Sequence, residues 1–311
     1  MRILFMGSPE MAVPSLQAVN EIGHIVGVVT QPPKASGRGR KLTQSPIFRE
    51  AINAGLEIMT PDTLKTPDTE DALRKLEPDI AVVVAYGKIL PPNILAVPRL
   101  GCVNIHASIL PELRGAGPIQ WAIARGYTET GVTLMQMDEG MDTGPILMQR
   151  RTPIGALETA GELGARLALI GADLLREGLP LLDRGELPPV DQDSSLATYA
   201  PLLTKTDGLI DWTLTADEIA NRIRGFSPWP GTYTTRAGSR ILITRAIALE
   251  EPDQSPSGTI SSSGSTGIQI SCGGGTLKVL AVKPEGKREM TVEEFISGYK
   301  IEPGEILGER V

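Results

Sequence analysis

Short apolar runs and longer mixed segments alternate along the first half of the chain. Residues 3–6, 25–30, 56–59, 80–85, 101–106 and 132–137 are apolar runs of strand length. The 80–85 run is made only of Ile, Ala and Val and predicts a strand covered on both faces. Between these runs, 10–20 (with Pro14 near its start), 46–54, 69–76 and 118–126 suit helices. Such alternation predicts an α/β, Rossmann-like fold: a mostly parallel sheet with helices on both faces. Ligands in sheets of this type sit beyond the carboxyl ends of the strands. His106 lies at one such end, and Asp142 shortly follows another.

The longest helical pattern covers 159–182, where Leu163, Leu167, Ile170 and Leu174 recur at helical spacing. The texture changes after it. Pro188 and Pro189 lead into a polar stretch expected to be a linker over 190–206, which divides the chain into a domain of 1–189 and a second of 207–311. In the second, a helix at 215–223 precedes strand-like runs at 233–236, 241–248, 267–271 and 277–282, separated by Gly and Ser clusters. Short strands in that arrangement predict a small, OB-like β-barrel. Residues 261–264 read as an exposed loop, and no internal repeat is seen.

Composition narrows the function classes. The chain has 311 residues, 41% hydrophobic, with a net charge of −7. That content supports a sizeable core, and a nucleic-acid partner has to be met by a local basic patch. Two cysteines, Cys102 and Cys272, form no disulfide framework, and no Cys/His spacing suits zinc. The N-terminal apolar run is too short for a signal peptide and no stretch is long enough to span a bilayer, so a cytoplasmic protein is expected.

Candidate chemistry centres on Asn104 and His106. Two apart on a strand, they point to one face. Gly-rich turns follow, around Arg114–Pro118 and around Asp142, between Gly140 and Gly144. Asp142 taken alone reads first as a turn cap, but beside an amide and an imidazole it completes a set in which a carboxylate stabilises a charged ring. The Gly7-Ser8-Pro9 turn lacks the rest of a dinucleotide fingerprint. The basic stretch 34–41 is either a solvated loop or an arm for phosphates. Arg222 and Arg224 precede Phe226, Trp229 and Tyr233, a mixture that suits nucleic acid. From Asp207 onward, however, 11 basic residues face 14 acidic ones.

The run Asn104-Ile-His-Ala-Ser-Ile-Leu-Pro111, with Arg114-Gly-Ala-Gly-Pro-Ile-Gln120, Gly131–Asp138 and Met141-Asp-Thr-Gly144, closely resembles the signature of the folate-dependent formyltransferases. Met6–Pro9, Val83–Gly87 and Ile210-Asp-Trp212 extend the likeness along nearly the whole chain, toward the methionyl-tRNA formyltransferase family. The resemblance implies transfer of the formyl group of 10-formyltetrahydrofolate, a consumed cosubstrate, to methionine on initiator methionyl-tRNA, for translation initiation. It implies Asn104, His106 and Asp142 as catalytic residues. It implies a donor site at Val84, Ala85, Tyr86, Gly87, Ser108, Ile109, Leu110, Pro111 and Met137. Contacts to tRNA are implied for Arg38, Arg40 and Lys41, and for the second domain, where Arg222 and Arg224 are the candidates. No metal, no membrane and no DNA are expected, and the chain is expected to be a monomer. The signature fixes the chemistry more tightly than the acceptor. A formyltransferase for a nucleotide sugar or small amine, a hydrolase releasing formate, and a non-catalytic tRNA-binding module are the alternatives.

Overall fold

The computed structural model describes residues 1–36, 41–251 and 255–308. The chain divides into two compact units. One comprises Met1–Gly115, Glu129–Pro153 and Gly164–Ala200; the other comprises Ala116–Thr128, Ile154–Leu163 and the chain from Pro201.

The first unit is built on strands β1 (Arg2–Gly7), β2 (His24–Val29), β3 (Lys34–Ser36), β4 (Lys41–Thr43), β5 (Ile58–Met59), β6 (Ile80–Val84), β7 (Cys102–His106), β8 (Glu129–Gln136) and β9 (Ile146–Pro153). Seven of them form one sheet in the order β5-β2-β1-β6-β7-β8-β9, and β3 pairs with β4 apart from it. Pairing is parallel from β5 to β7. It turns antiparallel for β7–β8 and β8–β9. The expected mostly parallel sheet is present, but β8 reverses direction and β9 was not foreseen. Its sequence, Ile-Leu-Met-Gln-Arg-Arg-Thr-Pro, carries the polar positions of an edge strand and no clean apolar run.

Helices α1 (Val13–Ile22), α2 (Pro46–Asn53), α3 (Pro67–Lys75), α4 (Pro92–Leu95), α5 (Pro118–Ala124) and α6 (Ala160–Asp183) follow in chain order. Strand alternation decides what each face of the sheet meets. Leu4, Met6, Ala81, Val83 and Cys102 share a buried cluster with Leu73 of α3 and Ile94 of α4. The opposite face offers Ile105 and Leu134 to α6. There Gly171 and Gly178, two turns apart, let the helix sit close: a Cβ at Gly171 would come 2.8 Å from Ile105, and one at Gly178 would come 2.6 Å from Leu134.

The second unit contains α5, α7 (Ala216–Gly225), β10 (Thr232–Arg236), β11 (Ser239–Leu249), β12 (Ile260–Gly264), β13 (Gly267–Ser271), β14 (Thr276–Pro284), β15 (Met290–Thr291) and α8 (Val292–Gly298). Helix α5 lies against α7: Trp121 meets Phe226 edge-on at 5.5 Å, and a Cβ on Gly225 would come within 2.8 Å of the α5 backbone. The strands are antiparallel in the order β10-β11-β14-β13-β12, with β15 on β14. The chain after α8 links the two outer strands. Ile260 of β12 donates to the Glu305 carbonyl, Leu307 to Gly258, and Gly308 to Thr235 of β10. That link gives the sheet its barrel-like closure and satisfies edge groups that would otherwise stay open. Residues 261–264, expected as a loop, belong to β12, which pairs with β13. Serines conceal this strand because they carry no apolar alternation.

Both cysteines are buried and unpaired. Burial pushes the Cys102 thiol up to about 12 and that of Cys272 up to about 11, so neither is a nucleophile near neutral pH. Among the described residues no helix is long and apolar enough to cross a membrane, and no group of three or more His, Cys, Asp or Glu is placed to hold a metal ion.

Candidate active site

Asn104 and His106 continue the row begun by Cys102 on the face that carries α3 and α4. Past Cys102 the apolar cover stops, and Asn104 lines a cleft of ≈ 640 Å³ together with Lys88, Ile89, Met135, Met137 and Asp142. Asn104 is half-buried and His106 is 5% exposed. The sheet register sets Asn104 between Val83 and Met135, so the amide stands mid-sheet rather than past the strand end.

Asp142 arrives by a different route from the one expected. Because β8 is antiparallel, its end at Gln136 lies beside Val103, toward the start of β7. The loop joining β8 to β9 has to run back to reach His106. Its base is closed by Gln136 donating to the Pro145 carbonyl and Met137 donating to the Cys102 carbonyl. A Cβ on Gly144 would stand 2.0 Å from the Gln136 carbonyl oxygen, so only glycine fits this closure. Asp138 braces the loop from within, accepting from Thr143 Oγ1 at 2.8 Å and from the Gly140 N–H at 3.0 Å. Asp142 itself takes a left-handed φ of 54°, a conformation in which Asp and Asn are enriched.

The imidazole is oriented by the main chain. His106 Nε2 donates to the Leu113 carbonyl at 3.0 Å, which leaves Nδ1 toward Asp142, 3.6 Å from its Oδ1. That separation suits an ion pair and is too long for a hydrogen bond. The carboxylate's own hydrogen bond comes from the Gly115 N–H to Oδ2 at 2.8 Å. Leu113, at a φ of 59°, and Gly115, at 115°, therefore aim one carbonyl at the histidine and one N–H at the aspartate. No side-chain pattern announces this, since both contacts are backbone.

The expected donor-site residues divide. Met137 lines the cleft. Val84, Tyr86, Ser108 and Leu110 are buried and are not among the residues that line it. Ser108 donates to the Glu112 carbonyl, and Leu110 is tied by its N–H to Thr133 and by its carbonyl to Gln149. Tyr86 sits in the apolar cluster, where burial pushes its phenol up to about 12. Ala85 and Gly87 make the left-handed turn after β6, and Ile109 and Pro111, which flank Leu110, are likewise not among the lining residues. Direct lining after β6 comes from Lys88, Ile89 and Leu90, which follow the expected segment. Lys88 is tied down by the carbonyls of Pro61 and Asp62. Ile89 and Met141, 83% and 62% exposed, stand at the cleft as apolar side chains open to an incoming molecule.

Of the basic residues singled out, Arg38 and Arg40 lie outside the described residues, and only the backbone of Lys41, in β4, is described. Arg224 donates to the Gly155 and Glu158 carbonyls and to Asn221, and burial pulls its guanidinium below its usual value. It works as a tie within the second unit. Arg222, at the last turn of α7, is half-buried. Sequence order hid a better-placed set. Strand pairing brings Lys283 opposite Leu242, and Lys278 opposite Ile247 and Gln269, on the side away from the barrel core. Arg240 lies over the Tyr233 ring at 3.5 Å.

Comparison with known proteins supplies the last observations. A family model for formyl transferases matches residues 1–179, and one for the formyl transferase C-terminal domain matches residues 202–300. A methionyl-tRNA formyltransferase of Myxococcus xanthus is 48% identical over 303 residues, covering 97% of this chain and 96% of that protein. One of Geobacter sulfurreducens is 43% identical over 310 residues, covering 99% and 97%. The solved structure of an N-formyltransferase from Helicobacter canadensis, in complex with folinic acid and dTDP-3-aminofucose, has a TM-score of 0.68 at 19% identity, covering 89% of this chain and 98% of that one. It shows the shared fold.

Proposed function

The chain belongs to the formyl transferase family, and from that premise we propose how its cleft works. It is a methionyl-tRNA formyltransferase, moving the formyl group of 10-formyltetrahydrofolate to the amino group of methionine on initiator tRNA. The observation that carries the proposed site is the convergence of three groups: Asn104 and Asp142 on one cleft, with His106 Nδ1 3.6 Å from Asp142.

The chemistry follows from those groups. The methionyl amine attacks the formyl carbon, forming a C–N bond and a tetrahedral intermediate with a negative oxygen. The Asn104 amide and a protonated His106 Nδ1 donate to that oxygen; one preorganised donor is worth roughly 2.7–4 kcal/mol of barrier. Asp142 stabilises the charged ring. The bond to the folate nitrogen then breaks as that nitrogen takes a proton from His106 Nδ1, and the ring recovers one from the former amine through water. A reference α-amine has a pKa of about 7.7–8.0, so neutral amine is present near pH 7 and no strong base is required. The apolar lining from Met135, Met137 and Ile89 suits a flat pteridine, and the donor's placement against Asn104 supplies proximity.

The tRNA is met by basic groups of both units: Arg38, Arg40 and Lys41 of the basic stretch, and Arg222 of the second unit. The outward row of Arg240, Lys278 and Lys283 provides the shared face that the acidic balance of this unit demands. The enzyme is a cytoplasmic monomer in this proposal. Replacing Arg240, Lys278 and Lys283 by glutamine is expected to raise KM for tRNA and leave KM for the folate donor in place. Steady-state kinetics across a salt series checks this, because the log–log salt slope flattens by about 0.7–0.9 for every phosphate that the protein no longer neutralises. An unchanged slope removes this face from the interaction.

The decisive assay follows labelled formyl from 10-formyltetrahydrofolate to charged initiator tRNA, with uncharged and elongator tRNAs as controls. Label on methionine is expected. Formate released equally without tRNA would identify a hydrolase instead, and label appearing only on an amino sugar would identify a sugar formyltransferase.

A further inference from the structure

The Asp142 carboxylate is held by Gly115, but its loop needs a second hold, on the main chain, to keep a fixed distance from His106. That hold comes from a residue in the stretch whose composition reads as a linker. Gln192 Nε2 donates to the carbonyl oxygens of Asp142 at 2.9 Å and Gly144 at 2.7 Å. Its Oε1 accepts from Arg114 Nε at 3.1 Å and Nη2 at 2.8 Å. Arg114 is 2% exposed and has no carboxylate partner among the described residues. A buried guanidinium without a counter-ion is costly, and here its Nε and Nη2 donate to the one amide that grips the Asp142 loop, with Ser194 Oγ a longer acceptor 3.5 Å from Nη2.

Both ends of the bracket are anchored. Arg114 stands between Leu113, whose carbonyl orients His106, and Gly115, whose N–H holds Asp142. Its own backbone is pinned by Thr198 and Ala200: Arg114 donates to the Thr198 carbonyl and Ala200 donates to the Arg114 carbonyl, each at 2.8 Å. We propose that Gln192, oriented by Arg114, is a positioning residue for formyl transfer. Its amide joins the tripeptide that orients His106 to the loop that bears Asp142, and so sets their separation. Only a side-chain amide does this, because the bracket needs donors at one end and an acceptor at the other. Glutamate offers two acceptors and would set an oxygen against the Asp142 and Gly144 carbonyls while still satisfying Arg114.

The inference rests on the proposed function, and its test separates the two. Formylation of charged initiator tRNA by 10-formyltetrahydrofolate is measured for the parent enzyme, Gln192→Met and Gln192→Glu, each also in an Asp142→Asn background, with thermal melting of every variant. A misplacement of about 1 Å costs up to roughly 10²-fold in rate, so kcat is expected to fall about 10- to 100-fold in both single variants, with KM for tRNA unchanged. In the Asp142→Asn background most of that loss is expected to vanish, since the charge being positioned is gone. Equal losses in both backgrounds, parental kcat in Gln192→Glu, or failure of both variants to melt cooperatively would each overturn the positioning role. A parent enzyme that transfers no formyl group would instead overturn the function on which it rests.

Discussion

Replacing His106 by alanine is expected to lower formyl transfer by about 10³-fold, with the loss in kcat rather than in binding of either substrate. The imidazole serves twice. Its Nδ1 donates to the oxygen that turns negative, an interaction made only in the transition state and worth about 10²–10³ in kcat for one donor. As a proton carrier between the two nitrogens it adds a contribution within the general acid–base range of about 10²–10⁴; the two overlap because one group makes both. Stability tells the chemistry from the anchoring. The ring is buried and its Nε2 satisfies the Leu113 carbonyl, so alanine leaves that carbonyl unpaired at a cost of about 1–3 kcal/mol. His106→Gln separates the effects, since a glutamine Nε2 can still donate to Leu113 while Nδ1 is lost. Single-turnover formylation with thermal melting checks the expectation: Gln should recover most of the melting temperature and little of the rate. A rate near the parental one in either variant would remove His106 from the chemistry.

How far the sequence goes is decided by what each element buries. The strands of the parallel half are runs of Ile, Val, Leu and Ala because both faces meet helices, and continuous apolar runs are easy to recognise. Asn104 and His106 interrupt such a run at spacing two, which is why their shared face was legible from the residue order alone. Edge strand β9 was not, because Gln149, Arg150 and Arg151 put polar groups on both of its faces. The reversal of β8 was not either, since direction leaves no mark on side-chain pattern. That reversal matters: it makes Asp142 the property of a folded-back hairpin loop instead of a strand end. The remaining site geometry rests on the Leu113 carbonyl, the Gly115 N–H and a glutamine in a polar stretch. Backbone groups have no letter in the sequence, and a single glutamine among aspartates and serines looks like any solvated residue. The outward row of Arg240, Lys278 and Lys283 needed strand register, which the net charge of the region masked.

Asp142→Asn is expected to cost nearly as much as loss of the histidine, and for one reason only. Asparagine has the same shape, tolerates the left-handed φ of 54° that the loop imposes, and its Oδ1 still accepts from the Gly115 N–H that holds the carboxylate at 2.8 Å. Gln192 grips main-chain carbonyls, which the substitution leaves in place. Loop, cleft and donor binding therefore persist, and the charge alone is removed. Its worth follows from distance. Opposite unit charges about 4 Å apart attract by about 4 kcal/mol at an effective dielectric of 20. Asp142 and His106 stand 3.6 Å apart with side-chain exposures of 18% and 6%, so little water screens them. Losing that attraction removes the partner of the ring charge that develops in the transition state, on which both the oxyanion contact and the proton transfer depend. The expected result is a kcat lower by about 10²–10³, with melting temperature and donor KM close to those of the parent. Asp142→Ala should add a shift in donor KM, because it also frees the loop that lines the cleft. If the asparagine variant turned over at the parental rate, the carboxylate would be a loop fastener, and the charge on the ring would have to come from the substrates themselves.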